Sequence, residues 1–562
     1  MAERSVLSTR SHRSHRTANT ARSRNPPPAS SQLSIRSKPT SFPSKRIIIA
    51  ADGTWLDADN GHLNGELNIP SNITRLTRAI KTTSSDGIPQ VVYYHFGVGS
   101  QGGVVDRVVG GATGQGLSEN VREGYEFICN NYAPGDEIFL LGFSRGAFTA
   151  RSIGGLIGEV GVLTKEGLQY LAEIYKDVTH KYDANYRPKH PDIPFPDKPN
   201  AADPEYTEEL ANLHLTNLGV KVKAVGVFET VGSLGTPRIG WLQKAGVQSS
   251  QAKRQAFHDT TISDCIENAF QALALDERRS AFQPAVWEKP EGNTTTLRQV
   301  WFPGVHSNVG GGYDDQELAN ITLAWMIAQL SPFLDFDTEY IFDQHESNLE
   351  YYDKKRERKR PWSFGKIYDS MKGAYAVGGA TTRTPGRYRF VDPHSGRKTD
   401  EPLRDTHEYI HPSVRSRLLL NGPGTDDVGP YECKALEDWR LVVEPSTQPG
   451  SKAPGVYWKL SSRKLREEDG RVSTEILPES PLWDLERELL SYDARTYDFV
   501  TDPPPVRAPA GDGSEKRRRT KRVSRIEGER PGSRAPSRGN PRGSVRERSR
   551  SVSRVKERER DF

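Results

Sequence analysis

The 562-residue sequence predicts an α/β fold, with a mostly parallel central sheet covered by helices on both faces. Three observations lead there. Short apolar runs alternate with helix-patterned segments from residue 46 onward, each run closes on a glycine-containing loop, and the third enters a helix through Gly142-Phe143-Ser144-Arg145-Gly146. In such sheets ligands sit beyond the carboxyl ends of the strands, where these loops converge.

The first run, Ile47-Ile48-Ile49-Ala50-Ala51, ends in Asp52-Gly53-Thr54 and reads as a buried strand delivered into a loop. The second, Val91 to Phe96, ends in Gly97-Val98-Gly99. Between Gly116 and Asn130 the residues Leu117, Val121, Tyr125 and Ile128 recur three or four apart, the spacing of an amphipathic helix. Pro134-Gly135-Asp136 then turns the chain into the third run, Glu137 to Gly142, and Phe148 to Ile157 is patterned as a helix. A fourth strand, Val222 to Phe228, closes at Glu229-Thr230-Val231-Gly232; a fifth, Leu297 to Phe302, closes at Pro303-Gly304-Val305-His306 and precedes a helix from Leu318 to Leu330. Residues 172–215 carry five prolines between Pro188 and Pro199 and are expected to form an inserted lid over the strand ends. Residues 340–500 are a C-terminal elaboration of one domain spanning 46–500, and their charged run from Lys354 to Arg360 reads as the solvated end of a helix.

Gly-x-Ser-x-Gly between an apolar strand and a helix is the arrangement of a nucleophile elbow, in which small neighbours accommodate a serine with a cramped backbone. Serine is a weak nucleophile at neutral pH and needs an aligned base, itself held by a third group. Later strands supply both, as Glu229 ends the fourth and His306 follows the fifth. Ser144, Glu229 and His306 thus occur in the order nucleophile, acid, base used by α/β-hydrolases, and the expected chemistry is hydrolysis of carboxylic esters (EC 3.1.1) with no metal and no organic cofactor. The Arg145 backbone N–H, with Gly53 or Thr54 opposite, is the expected oxyanion hole. Asp52 is assigned to ordering that loop, because its charge would repel an oxyanion. Arg145 and Arg151 are candidates for holding an anionic group of the substrate, and Ser307, Asn308 and Gly310 shape the histidine loop. His411 is an alternative base; Asp259, Asp264 and Asp276 are alternative acids. The glycine-rich stretches at Gly97–Gly103 and Gly110–Gly114 lack the Gly-Lys-Ser/Thr ending of a phosphate-binding loop, and His345-Glu346 and His407-Glu408 do not extend to His-Glu-x-x-His.

Taken together, Ala51-Asp52-Gly53-Thr54-Trp55, Ser71 to Leu76, Gly97-Val98-Gly99, Gly142 to Arg151, Glu229 to Gly235 and Gly304 to Tyr313 resemble, in matching order, the domain of unknown function 2235. That family is similar to the catalytic domain of phospholipase effectors of bacterial type VI secretion. The resemblance covers about residues 46–420 and implies an α/β-hydrolase fold, a triad of Ser144, Glu229 and His306, and phospholipid as the ester. Two positions depart from the family pattern: Glu229 stands where aspartate is usual, and Asn308 where aspartate often follows His-Ser.

The net charge of +5 hides an uneven distribution. Residues 1–46 carry net +9 and residues 513–562 net +11, which leaves 50 basic and 65 acidic residues, net −15, between them. The basic balance therefore belongs to the ends of the chain and does not argue that the folded part binds nucleic acid. Residues 1–45 and 501–562 are Ser-, Arg- and Pro-rich, lack core-forming periodicity and are expected as disordered tails that contact a membrane surface or an anionic polymer. No stretch reaches 18 apolar residues, so no transmembrane span is expected. Three scattered cysteines suit a reducing, intracellular, cytoplasmic setting, with mitochondrial or nuclear association left open by the basic N-terminus. The alternative to a hydrolase is a catalytically impaired α/β-hydrolase-like scaffold whose tails bind anionic partners.

Overall fold

The computed structural model describes residues 45–53, 62–63, 66–67, 69–97, 114–231, 260–371, 379–392, 397–444 and 455–503. All of them fall in the first of two units, Met1–Ala508 and Pro509–Phe562. The expectations placed on Thr54, on Asp259, on most of the two glycine-rich stretches and on the basic tails lie outside the described residues.

Seven strands build the central sheet: β1 (Arg46–Ala51), β2 (Gln90–His95), β3 (Glu137–Phe143), β4 (Ala224–Phe228), β5 (Asn268–Ala274), β6 (Thr296–Phe302) and β7 (Glu408–Ile410). They lie in the order β2-β1-β3-β4-β5-β6-β7, every neighbouring pair parallel. This is an α/β-hydrolase-like sheet. Its parallel strands are covered on both sides, which is why they read as continuous apolar runs. In β1, Ile48 and Ala50 enter one apolar cluster while Ile47 and Ile49 enter the other, as alternating side chains must. The chain steps outward from β1 to β2 and then returns across β1 to β3, so the carboxyl end of β3 lies at the reversal of strand order, where open α/β sheets place their ligands.

β5 is not apparent from the sequence. Asn268-Ala-Phe-Gln-Ala-Leu-Ala274 is rich in residues that favour helices, and Gln271 interrupts its apolar run. Burial overrides that preference, because Gln271 finds every partner it needs: Thr230 Oγ1 donates to it at 2.7 Å, and its amide donates to Ala285 O at 3.1 Å and to Gln299 Oε1 at 3.0 Å.

Among the described residues, seven helices accompany this part of the chain: α1 (Asn72–Ala79), α2 (Gly114–Asn131), α3 (Arg145–Val160), α4 (Leu171–Thr179), α5 (Pro204–Asn212), α6 (His306–Gly310) and α7 (Glu317–Leu330). Residues 172–215 pack against α2 and α3. Val162–Leu163 pairs antiparallel with Thr216–Asn217, and Thr216 Oγ1 donates to Val160 O at the end of α3 farthest from Ser144, roughly 24 Å along a 16-residue helix. Leu171, Ile174, Val178, Tyr206 and Leu210 join the cluster that holds Val121, Tyr125 and Ile128 of α2, so the segment buttresses that face. Its apolar residues need a surface to pack on, and α2 and α3 supply one.

The C-terminal elaboration covers the other face. α8 (Glu339–Lys355) ends at Arg356 in a left-handed conformation, and α9 (Pro412–Leu419) is followed by an antiparallel sheet of β8 (Trp439–Glu444), β9 (Gly455–Leu460) and β10 (Ile476–Pro478). Trp439, Trp458 and Leu477 share one apolar cluster with Phe143, Phe228 and Val300 of the central sheet. α7 packs between the central sheet and the helices Glu339–Lys355 and Asp484–Ser491, with 13 of its 14 residues buried. No described helix is long and apolar enough to cross a membrane.

Candidate active site

Ser144 links β3 to α3 at φ 57°, ψ −117°, a conformation that costs an L-residue about 1–3 kcal/mol and recurs at functional sites. Its neighbours permit it. A Cβ on Gly142 would lie 2.4 Å from Gly146 O, and one on Gly146 would lie 2.1 Å from Ala51 O, so both glycines are required for α3 to start against β1 and β3. Ser144 N–H donates to Phe228 O at 3.1 Å, tying the elbow to the last residue of β4.

Glu229 is the next residue along, at φ 44°, with its N–H on Ala272 O of β5 at 2.8 Å. Its carboxylate accepts three hydrogen bonds. Oε1 receives Ala274 N–H at 2.6 Å; Oε2 receives His306 Nδ1 at 3.1 Å and Arg383 Nη2 at 2.9 Å. The His306 ring packs tilted against Phe143 at 4.7 Å and edge-on against Phe282 at 4.9 Å, which sets it against the residue preceding Ser144. Three strand ends thereby bring together the serine, the acid and the histidine. Ser144, Glu229 and His306 are 7%, 1% and 5% exposed, so their electrostatics operate in a water-poor environment. Burial pushes the His306 pKa below its usual 6.5, against the raising effect of Glu229.

The histidine loop is held from several sides. His306 N–H donates to Glu277 Oε2 at 3.2 Å; Asn308 accepts Val305 N–H at 3.1 Å and donates to Lys366 O at 2.8 Å. Gly310 admits the Phe143 ring, where a Cβ would lie 1.9 Å away, and Ser307 is half-buried beside these groups. Burial alone would raise the Glu277 carboxyl, but two 2.9 Å bonds and the charge of Arg279 carry it down to about 2.

Across the site, Asp52 is buried with Oδ2 accepting from Ser71 Oγ at 2.5 Å, Thr74 Oγ1 at 3.0 Å and Tyr94 OH at 2.8 Å, and Oδ1 accepting Gly53 N–H at 2.6 Å. Burial raises its pKa while these bonds lower it. Its place is that of a loop anchor. Arg151 faces inward from α3, donating to Gln271 Oε1 at 3.2 Å and to Ala285 O, with its guanidinium 3.9 Å from the Trp287 ring. His411 lies apart, with Nδ1 on Ser413 Oγ at 2.7 Å and Nε2 on Glu486 Oε1 at 2.9 Å, so both ring nitrogens are engaged. Asp276 accepts Gly304 N–H at 2.6 Å and Tyr431 OH at 2.8 Å, and Asp264 accepts Asn293 Nδ2 at 2.6 Å. Among the described residues no group of three His, Cys, Asp or Glu side chains is arranged to hold a metal, and all three cysteines are free.

Glu277, Arg279 and Arg383 were not apparent as site residues from the sequence. The first two follow β5, whose strand character is concealed; a strand end at Ala274 would have marked the segment after it, with Asp276 and Glu277, as site-facing. Arg383 sits 77 positions beyond His306 and carries no local signal.

The model of the T6SS phospholipase effector Tle1-like catalytic domain matches residues 45–329, just over half of the chain. The chain belongs to this family. Uncharacterized protein YEL023C of Saccharomyces cerevisiae is 27% identical over an alignment of 267 residues that covers 44% of this chain and 34% of that protein, so the match spans about a third of the relative's length. An uncharacterized Pseudomonas aeruginosa protein of known crystal structure aligns with 54% of this chain and 48% of its own at 17% identity and a TM-score of 0.30. The Tle1 effector bound to the VgrG spike of the type 6 secretion system aligns with 49% and 52% at 18% identity and a TM-score of 0.23.

Proposed function

We propose that this chain is a serine hydrolase that cleaves carboxylic esters, phospholipids foremost, with Ser144 as nucleophile, His306 as base and Glu229 as the acid that orients it. The observation that carries the reading is the contact of the buried Glu229 carboxylate with His306 Nδ1, on a ring packed against the residue that precedes the strained serine. With Nδ1 engaged, Nε2 takes the Ser144 proton as Oγ attacks the acyl carbonyl. The tetrahedral intermediate then expels the alcohol, which receives that proton, and leaves an acyl-serine. Water, deprotonated by the same nitrogen, releases the acid and restores Ser144. Arg145 N–H, at the start of α3, is the first oxyanion donor and benefits from the positive end of the helix. The second comes from the Gly53–Thr54 loop, where Gly53 N–H would exchange its bond to Asp52 for the oxyanion. Membership of a phospholipase effector family supports lipid esters as the substrate class.

Labelling with a fluorophosphonate, followed by peptide mass spectrometry on wild type and Ser144→Ala, tests this reading. The label is expected on the peptide carrying Ser144 and lost in the variant. A folded chain that resists the probe and cleaves none of a broad panel of esters would instead be a catalytically impaired scaffold.

A further inference from the structure

We propose that Arg383 is the positioning residue of this triad: it clamps the Glu229 carboxylate, and it sets the pH at which His306 becomes a free base. The inference rests on the hydrolase reading above. A glutamate side chain has one more rotatable bond than an aspartate, so its carboxylate needs a further anchor to present a single geometry to the imidazole. Arg383 Nη2 provides it, on the same oxygen that receives His306 Nδ1, while Ala274 N–H holds the other oxygen.

Arg383 is itself fixed, with Nε on Glu277 O at 3.2 Å and 1% of its surface exposed. The Tyr388 side chain stands beside the guanidinium as a further hydrogen-bonding group.

Glu229, Glu277 and Arg279 face His306 directly, and Arg383 reaches it through the Glu229 carboxylate. Glu229 and Glu277 approach it from the ends of β4 and β5, and Arg279 lies beyond Glu277. Glu277 and Arg279 are joined to each other by two 2.9 Å bonds, and their opposite charges push the His306 pKa in opposite directions. Around Arg383 stand Glu229, Glu277 and Tyr388. Of these charges, Arg383 alone counters Glu229 directly. Its Nη2 and His306 Nδ1 share one oxygen and are at most about 6 Å apart, close enough for a cation to disfavour an imidazolium appreciably.

The test is the pH dependence of the fluorophosphonate labelling rate of Ser144 in full-length wild type, Arg383→Gln and Arg383→Lys, each checked for cooperative unfolding. The acid limb should move up by about one pH unit in Arg383→Gln, with a drop in the plateau rate of about 10- to 100-fold, and should return most of the way in Arg383→Lys, which restores the charge without the fork. An unmoved limb in Arg383→Gln, with or without a lower plateau, overturns the inference. So does failure of both variants to fold, since Arg383 would then be a residue of the fold alone. If Arg383→Gln alone fails, a wild-type limb together with a wild-type plateau in Arg383→Lys also overturns it, and a lowered plateau with the limb near wild type supports it. Absence of labelling in wild type is a separate result, which overturns the hydrolase reading itself.

Discussion

Replacing Glu229 by glutamine removes one charge from a site where three donors converge on a single carboxylate. The amide keeps one oxygen. If that oxygen serves Ala274 N–H, the NH₂ group faces Arg383 Nη2 and His306 Nδ1, donor against donor, and the buried guanidinium loses its counter-ion. Breaking a buried ion pair by removing one partner costs about 3–5 kcal/mol. Over a folded region of roughly 450 residues, an unfolding entropy of about 2.1 cal/mol/K per residue converts this to a fall in Tm of about 3–5 °C. Turnover should fall further in relative terms, by about 10⁴-fold, the scale set by acid-to-amide replacement in serine triads. Glu229→Asp keeps the charge and shortens the arm, so it should lie between wild type and Glu229→Gln in both stability and rate. Thermal unfolding at neutral pH and the second-order rate of fluorophosphonate labelling measure the two effects. Labelling of Glu229→Gln at the wild-type rate across a pH series would refute the assignment of Glu229, even with Ser144 established as the nucleophile.

Gly146→Ala places a methyl group 2.1 Å from the Ala51 carbonyl, a backbone atom that cannot turn aside, so α3 must retreat by about 1 Å; overpacking on this scale costs about 1–3 kcal/mol, and the misplaced elbow should label about 10²-fold more slowly, read by unfolding and labelling together. With its pKa lowered by burial, His306 should remain a free base at pH 6.5, so that labelling declines only at more acidic pH; the same depression means that the unfolded chain binds more protons there, and stability should be lost as pH falls below 6.5. His411→Ala should leave that acid limb in place and lower stability by about 1–3 kcal/mol, because it strands Glu486, and a displaced limb in this variant would return His411 to candidacy as the base.

The strand ends that carry Ser144, Glu229 and His306 were legible because each follows a run apolar on both faces and opens into a glycine-containing loop, a pattern that burial between two helical layers imposes locally. β5 was not, since Gln271 is made tolerable only by Thr230, Ala285 and Gln299, partners that no window around it contains. Arg383 illustrates the same limit more sharply. Its meaning comes from a carboxylate 154 positions away, whereas its immediate neighbours describe an ordinary polar loop. The prolines of residues 188–199 interrupt the strand and helix patterns, and where this segment docks is decided by the apolar faces of α2 and α3.

The family match ends at residue 329, while α7 ends at Leu330, and nearly every side chain of that helix is enclosed. A helix apolar around its whole circumference needs cover on two sides, and the sheet supplies only one. The inherited segment and the cooperatively folded body therefore have different lengths in this chain. A recombination event at the end of the match would pass on the serine, the glutamate and the histidine, yet uncover Leu318, against which Gly365 packs, and discard the guanidinium that contacts the glutamate. Any relative with a different continuation has to solve that burial problem with residues of its own, so divergence beyond residue 329 changes the means of closing the core while the need to close it stays fixed.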